Sequence, residues 1–92
     1  SEIEAVLREI EHIEPKYQVI LERENGLDYL TINVELAPHM VTDKMQKLVE
    51  LEETIKQRFH AVIGLTPRVK LVEPKSLENL DSSNRVVDLR EK

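Results

Sequence analysis

The 92-residue sequence has no cysteine and only two glycines. The lack of cysteine excludes disulfides, thiolate nucleophiles and Cys-based zinc sites. Two glycines cannot form the Gly-rich loops that surround phosphate groups in many nucleotide-binding proteins. No apolar run approaches the roughly 18 residues that a membrane-spanning helix requires, and no signal peptide is recognisable. We therefore expect a cytoplasmic protein without a membrane partner.

Positive charge and aromatic rings are also scarce. The chain has 13 Lys and Arg against 18 Asp and Glu, which gives a net charge of −5. Because phosphate recognition in nucleic acids needs clustered Lys and Arg, we expect no nucleic-acid partner. The aromatic residues are Tyr17, Tyr29 and Phe59, so the core must be mainly aliphatic.

The length and apolar content are those of one small folded domain. Apolar residues make up 40% of the chain and charged residues 34%, a composition too apolar for a disordered segment. We expect a single domain over residues 1–92. Most single-domain enzymes are larger, so this size favours a binding module or a piece of a bigger enzyme.

The first residues have the pattern of a helix start. Ser1 and Glu4 form a Ser-x-x-Glu capping box, and apolar residues follow at helical spacing as far as Ile10. We expect a helix from residue 2 to about residue 12, ended by Pro15. Natural domains seldom begin at a helix cap, so this start indicates a cut through a longer polypeptide.

Two alternating segments around Asn25-Gly26 predict a β-hairpin. Apolar and polar residues alternate over residues 17–22 and again over residues 28–36. Asn25 and Gly26 both tolerate the positive φ that a tight hairpin turn demands. The hairpin is expected to bury one face and to leave the other face, which carries Glu35, in water.

The segment after Pro38 predicts a long amphipathic helix. Apolar residues recur there with a period of 3.6 from about Asp43 to Ile63, and Gly64 supplies a stop signal. Met45 and Phe59 are expected to lie in the core.

Two further extended segments follow the long helix. Residues 67–74 predict a third strand between two prolines, and residues 85–90 predict a last short strand or extended tail. The element order is therefore α-β-β-α-β with a terminal extension. The expected fold class is α+β, a small, mostly antiparallel sheet of three to four strands with two helices packed on one face.

Few residues indicate chemistry by themselves. His12, His39 and His60 are far apart in the sequence and lack the spacing of a helical metal-ligand pair. We expect them to be surface residues and predict no metal site. Ser82 and Ser83 have no nucleophile-elbow motif around them, so a polar turn explains them better than a catalytic role.

Four segments nevertheless resemble one family in order and spacing. They are SEIEAVL, YQVILERENGLDYLTINVEL, GLTPRVKLVEPKSL and NRVVDLR, and together they run from Ser1 to about Arg90. The chain resembles the C-terminal domain of phenylacetate-coenzyme A ligases, which belong to the acyl-adenylate-forming enzymes. The resemblance implies a mobile lid whose partner is a large N-terminal ligase domain of the same polypeptide. The lid alone is expected to be inactive.

The resemblance also implies a two-step reaction. An arylacetate attacks ATP to give an acyl-adenylate and pyrophosphate, and the thiol of coenzyme A then displaces AMP to give the acyl-CoA thioester. ATP, the acid and Mg²⁺ are expected in the large domain, with no cofactor in this domain alone. A lid that moves between two poses would exclude water from the adenylate and then admit the thiol.

In the family, the lid brings a lysine to the adenylation step from a Gly-Lys-Ala-Lys type turn before a final Arg-Val-x-Asp strand. Matched without a gap on residues 85–88, that turn falls on the sequence DSSN, and Ser82 occupies the place of the lysine. A cation there would stabilise the charge that develops between carboxylate and phosphate. The resemblance therefore implies a candidate cofactor-binding turn that lacks its catalytic lysine, formed by Asp81, Ser82, Ser83, Asn84 and Arg85.

Several accounts of this turn stay open at the level of sequence. The protein is a family member with weak or altered adenylation, or it uses a displaced lysine such as Lys75, or it serves mainly the thioester half-reaction or regulates a partner. Outside the family, the rival functions are a small regulatory or ligand-binding α/β module and a protein-interaction domain with an exposed sheet edge. Pro67 and Pro74 argue against an open edge.

Overall fold

The computed structural model describes residues 2–42, 44–80 and 85–90. Within these ranges the chain forms two α-helices, four β-strands and one short 3₁₀ helix, so the predicted α+β class is confirmed. The elements in chain order are α1 (Glu2–Arg8), β1 (Ile13–Glu24), β2 (Leu27–Leu36), the 3₁₀ helix (Pro38–Met40), α2 (Met45–Ile63), β3 (Arg68–Val72) and β4 (Val86–Asp88).

The four strands form one mixed sheet in the order β3-β2-β1-β4. β1 and β2 pair antiparallel and are joined by the predicted turn, in which Asn25 and Gly26 have φ angles of 51° and 80°. The two edge strands pair parallel, β4 with β1 and β3 with β2. The sheet is therefore not purely antiparallel. A parallel neighbour needs a crossover connection, and α2 provides one between β2 and β3.

Helix α1 is shorter than the sequence predicted. It ends at Arg8, a turn follows, and β1 begins at Ile13, so the prediction of a helix to about residue 12 that Pro15 ends is wrong. Pro15 lies inside β1, where the register with β2 shifts between Ile13 and Tyr17, and such an irregularity tolerates a residue without an N–H. His12 has a φ of 76°, a left-handed conformation that is incompatible with a continuing helix.

Helix α2 follows the predicted span closely. It ends where expected, with Gly64 in a left-handed conformation and its N–H donating to the carbonyl of His60 at 3.0 Å. Phe59 is buried as predicted, whereas Met45 is 73% exposed and was wrongly placed in the core. Met45 is the first residue of the helix and lies outside the buried cluster, whereas Leu48, one turn on, packs against it.

The core lies between the two helices and one face of the sheet. Ile32 of β2 is in register with Val19 of β1 and Val69 of β3, and all three side chains are buried. Residues in register share a face, and both helices contribute to the same cluster, which confirms helices on one face. The cluster comprises Val6, Leu7, Ile13, Tyr17, Val19, Ile32, Val34, Leu36, Met40, Leu51, Ile55, Phe59 and Val69. In the described part of the chain, no helix is both long and apolar enough to cross a membrane.

Candidate functional site

The predicted turn itself lies outside the described residues. Asp81, Ser82, Ser83 and Asn84 belong to the part of the chain that is not described, whereas Arg85 and both flanking segments are described. The upstream flank ends at Leu80. The structure therefore shows the two flanks of the predicted turn, up to Leu80 and from Arg85.

Arg85 is attached to the centre of the sheet. Its carbonyl accepts the N–H of Val19 at 2.7 Å, and its guanidinium lies over the buried ring of Tyr17, 5.2 Å from the ring centroid. The Nε of Arg85 is buried and has no hydrogen-bond partner among the described residues. The pKa of Glu4 is held below its usual value, chiefly by a hydrogen bond from Arg8 and to a smaller extent by the charge of Arg85. The downstream end of the turn thus carries a fixed positive charge.

Beyond Arg85, an exposed ion-pair network fastens β4 to the hairpin. Arg90 contacts Asp88 at 2.8 Å and Asp28 at 3.2 Å, and Asp28 also accepts a hydrogen bond from Arg23 at 2.7 Å. The bond from Arg23, and then that from Arg90, lowers the pKa of Asp28. The pKa of Arg90 is raised above its usual value, first by its hydrogen bond to Asp88 and then by its hydrogen bond to Asp28.

The upstream flank is held by one buried carboxylate. Glu35 of β2 is only 2% exposed and accepts the backbone N–H of Lys75 at 2.6 Å and of Leu77 at 3.3 Å. Lys75 has a φ of 68°, and Leu77 is buried. The sequence-based view that Glu35 faces water is therefore wrong, because the segment 73–80 folds over this part of the sheet. Nothing in the local sequence of β2 signals a contact forty residues away.

Two of the three histidines meet in space. His12 Nδ1 and His39 Nε2 are 2.9 Å apart, with the rings in a T-shaped arrangement, while Nδ1 of His60 lies 3.1 Å from the hydroxyl of Thr66. All three are exposed, as predicted. The pairing of His12 with His39 was missed because 27 residues separate them. Among the described residues, no group of three or more His, Asp or Glu side chains could hold a metal ion.

The histidine pair borders a cleft of about 520 Å³ between the end of α1, the 3₁₀ helix and α2. Met40 and Leu51 contribute apolar surface to it, and Glu9 bridges to Arg58 across it at 2.6 Å. The cleft is not formed by the flanks of the predicted turn, so it is a feature separate from the candidate site.

Comparison with known proteins bears out the sequence resemblance. Residues 1–90 match the family described as AMP-binding enzyme C-terminal domain. The phenylacetate-coenzyme A ligase of Escherichia coli K12 is 28% identical over 91 residues, which cover 98% of this chain and 21% of the ligase. A crystallised domain of phenylacetate-coenzyme A ligase from Bacteroides vulgatus ATCC 8482 is 34% identical with a TM-score of 0.81, over 99% of this chain and 83% of that one.

A third relative has been solved in several states. It is 2-hydroxyisobutyryl-CoA ligase with 2-HIB-AMP and CoA in its thioesterification state, 28% identical with a TM-score of 0.85 over 98% of this chain and 19% of that chain. The same ligase in an open conformation and in a postadenylation state gives TM-scores of 0.78 and 0.76. The fold of this small domain is thus shared by CoA ligases.

The sequence and the fold both match C-terminal segments of CoA ligases. The chain belongs to the family of AMP-binding enzyme C-terminal domains. It spans about a fifth of the length of the phenylacetate-coenzyme A ligases it matches.

Proposed function

We propose that residues 1–92 form the C-terminal lid of an AMP-forming acid–CoA ligase of the phenylacetate-coenzyme A ligase type. The complete enzyme would convert ATP, an arylacetate and CoA into AMP, pyrophosphate and the acyl-CoA thioester through an acyl-adenylate. The observation that supports this proposal is the family match over residues 1–90, shared with ligases about five times longer. A large N-terminal domain of the same polypeptide is the proposed partner.

We propose that the lid brings its turn to the reacting groups during adenylation. It would then withdraw the turn for thioester formation. A relative that adopts open, postadenylation and thioesterification states supports such movement. The described residues offer no cluster of acidic or histidine ligands that would suit Mg²⁺. We propose that Mg²⁺ and the adenylate bind in the large N-terminal domain of the complete enzyme.

The candidate turn retains one cation, Arg85, at its downstream end. A guanidinium held over an aromatic ring keeps its charge and its forked donors in a fixed direction. Such a group suits the phosphate and carboxylate oxygens of ATP, the adenylate or CoA. With Ser82 in the place of the family's lysine, we propose that adenylation is the weaker half-reaction of this enzyme.

The proposed function is tested with the complete ligase. We expect it to form acyl-CoA from ATP, CoA and an arylacetate, and we expect the isolated 92-residue chain to form none. The variant Ser82→Lys should raise pyrophosphate exchange by on the order of 10²–10³, the usual effect of one such transition-state contact. An unchanged rate would show that Ser82 is not the equivalent position, and thioester formation by the isolated chain would contradict the lid function.

A further inference from the structure

A small apolar groove lies beside the first residues of α1. It is bounded by the start of α1, the end of α2, strand β2 and the loop that leads to β3. The groove has a volume of about 220 Å³, and its lining is formed mainly by Ile3, Leu30, Ile32, Phe59, Ile63 and Leu65.

The floor of the groove is part of the core, and its rim is exposed. Phe59 and Ile32 are each 1% exposed, and Ile3 and Ile63 pack against the buried cluster. Leu65, in contrast, is 57% exposed. An isolated exposed leucine needs no explanation, but one that borders an apolar groove belongs to a continuous apolar surface of the kind that binds a partner.

Size and chemistry decide which class of partner fits. The volume lies below the roughly 300–1,000 Å³ of pockets that hold small-molecule ligands, so the groove suits side chains rather than a nucleotide or CoA. Among the described residues that line it, only Glu2 is charged. A polar side chain placed there would lose hydration without gaining partners. The groove therefore fits an apolar piece of polypeptide.

An adjoining cavity extends the groove along the surface. Leu30, Leu65 and Pro67 border both the groove and a second cavity of about 230 Å³, which Tyr29 and Arg68 also line. The two cavities form one path from the start of α1 towards the β3 edge of the sheet. Such a path suits an extended segment better than a single side chain.

The position of the groove indicates which segment can reach it. Glu2 and Ile3 line it themselves, so a segment joined to this end of the chain begins at its edge. The chain spans about a fifth of the ligases it matches. In the proposed ligase, the large N-terminal domain is joined to the lid through the residues directly before Ser1. A tethered segment has an effective concentration of about the millimolar range, which favours it over a separate molecule.

We propose that the groove is the docking site of an apolar, extended connector, the segment directly before Ser1 in the complete ligase. This inference rests on the proposed function. The docked connector covers Leu65 and fastens the start of the lid to the rest of its polypeptide. Burying the exposed half of a leucine side chain shifts a docking equilibrium by on the order of tenfold, so Leu65 should govern how often the connector is released.

Limited proteolysis of the complete ligase tests the docking, with the cut sites located by mass spectrometry. When opening is fast relative to cleavage, the cleavage rate follows the population of the open form. The connector should therefore be cut about 10- to 100-fold more slowly than a free peptide of the same sequence. Leu65→Ser should raise cleavage in the connector about tenfold, and Leu65→Ala, which keeps part of the apolar contact, should raise it less.

The chain offers a matched control for this measurement. Leu89 is 58% exposed and does not line the groove. Leu89→Ser therefore removes the same amount of exposed apolar surface elsewhere, and it should change cleavage in the connector less than about twofold. The thermal transition of each variant checks that it is folded.

The outcomes separate the docking from the proposed function. If an active ligase has a connector that is cut as fast as the free peptide, or equally fast with leucine, alanine or serine at position 65, the docking is overturned and the lid function stands. Equal acceleration by Leu65→Ser and Leu89→Ser would overturn it too, as would a connector made only of polar residues. If the complete protein forms no acyl-CoA, the proposed function fails, and the cleavage rates still decide the docking because they do not depend on activity.

Discussion

The segment that enters the predicted turn and the segment that leaves it are held to the sheet by different means. Upstream, the buried carboxylate of Glu35 receives two backbone N–H groups. Downstream, Arg85 is attached by one backbone bond and an aromatic contact, and Arg90 adds exposed ion pairs. The upstream segment depends on a single buried carboxylate, whereas the downstream segment is held by the pairing of β4 with β1 and by the contacts of Arg85 and Arg90.

This difference predicts unequal responses to mutation. Removing a hydrogen-bond acceptor costs roughly 1–3 kcal/mol for each donor that stays buried without a partner, and Leu77 is such a buried donor. An exposed ion pair is typically worth about 0–1 kcal/mol because water and salt screen it. The upstream flank should therefore be sensitive to one substitution, whereas the downstream flank should weaken gradually.

The largest effect is expected for Glu35→Ala in the 92-residue chain. It leaves the N–H groups of Lys75 and Leu77 without their acceptor, and the free energy of unfolding should fall by about 2–3 kcal/mol. Chemical denaturation measures this, with the exposed Glu78→Gln as a control that should stay within about 0.5 kcal/mol. A loss equal to that of the control would remove the contrast between the flanks.

A smaller effect on stability, with an effect on function, is expected for Arg85→Ala. The guanidinium over Tyr17 should be worth about 1 kcal/mol. Arg68 provides a matched control, because its guanidinium lies 3.9 Å from the ring centroid of Tyr29 at the opposite edge of the sheet. Arg85→Ala and Arg68→Ala should cost similar stability, but only Arg85→Ala should slow acyl-CoA formation by the complete ligase. Equal activity of the two variants would remove Arg85 from the site.

The ion-pair network around Asp28 should be detectable in the pKa of that carboxyl group. Its pKa is lowered, first by the hydrogen bond from Arg23 and then by that from Arg90. A carboxyl whose folded pKa is depressed stabilises the fold above its unfolded pKa, and this contribution disappears as the pH falls through the folded pKa. NMR titration should show that Arg23→Ala raises the pKa of Asp28 more than Arg90→Ala does. The reverse order would show that Arg90, which follows β4, holds this carboxylate more strongly than Arg23 of the hairpin does.

The smallest effect is expected for the histidine pair, which lies away from both flanks. His12→Ala and His39→Ala should each cost about 0.5–1 kcal/mol, the usual value of one hydrogen bond. The double variant should cost less than the sum, because the two rings share one contact. His60→Ala, combined with either, should be additive. Additivity between His12 and His39 in thermal or chemical unfolding would show that their contact contributes nothing.

Elements with a local signature could be predicted from the sequence, and contacts between distant segments could not. Asn25-Gly26 correctly predicted the hairpin, and Gly64 correctly predicted the end of α2. Each signal is local, because these residues favour the positive φ that the turn or the helix end requires. The end of α1 was misjudged because Pro15 is tolerated in an irregular strand as well as after a helix.

The parallel edge strands, β3 and β4, and the flanks of the predicted turn are held by contacts between segments far apart in the sequence. The pairing of β4 with β1 and the covering of Glu35 by residues 73–80 join segments that are far apart in the chain. An acidic residue on the polar side of an alternating strand has the same local pattern whether water or a folded segment covers it. The turn at residues 81–84 stays a prediction, since it lies outside the described residues, and the groups that hold its flanks could not be predicted from the sequence.

The most direct measurement compares a complete ligase that carries this chain as its C-terminal domain with the same ligase lacking residues 1–92. Acyl-CoA formation from ATP, CoA and an arylacetate is the readout, with folding of the shortened enzyme checked by its thermal transition. We predict that the complete enzyme forms the thioester and that the shortened, folded enzyme does not. Equal rates for the two would contradict the claim that this domain takes part in the reaction.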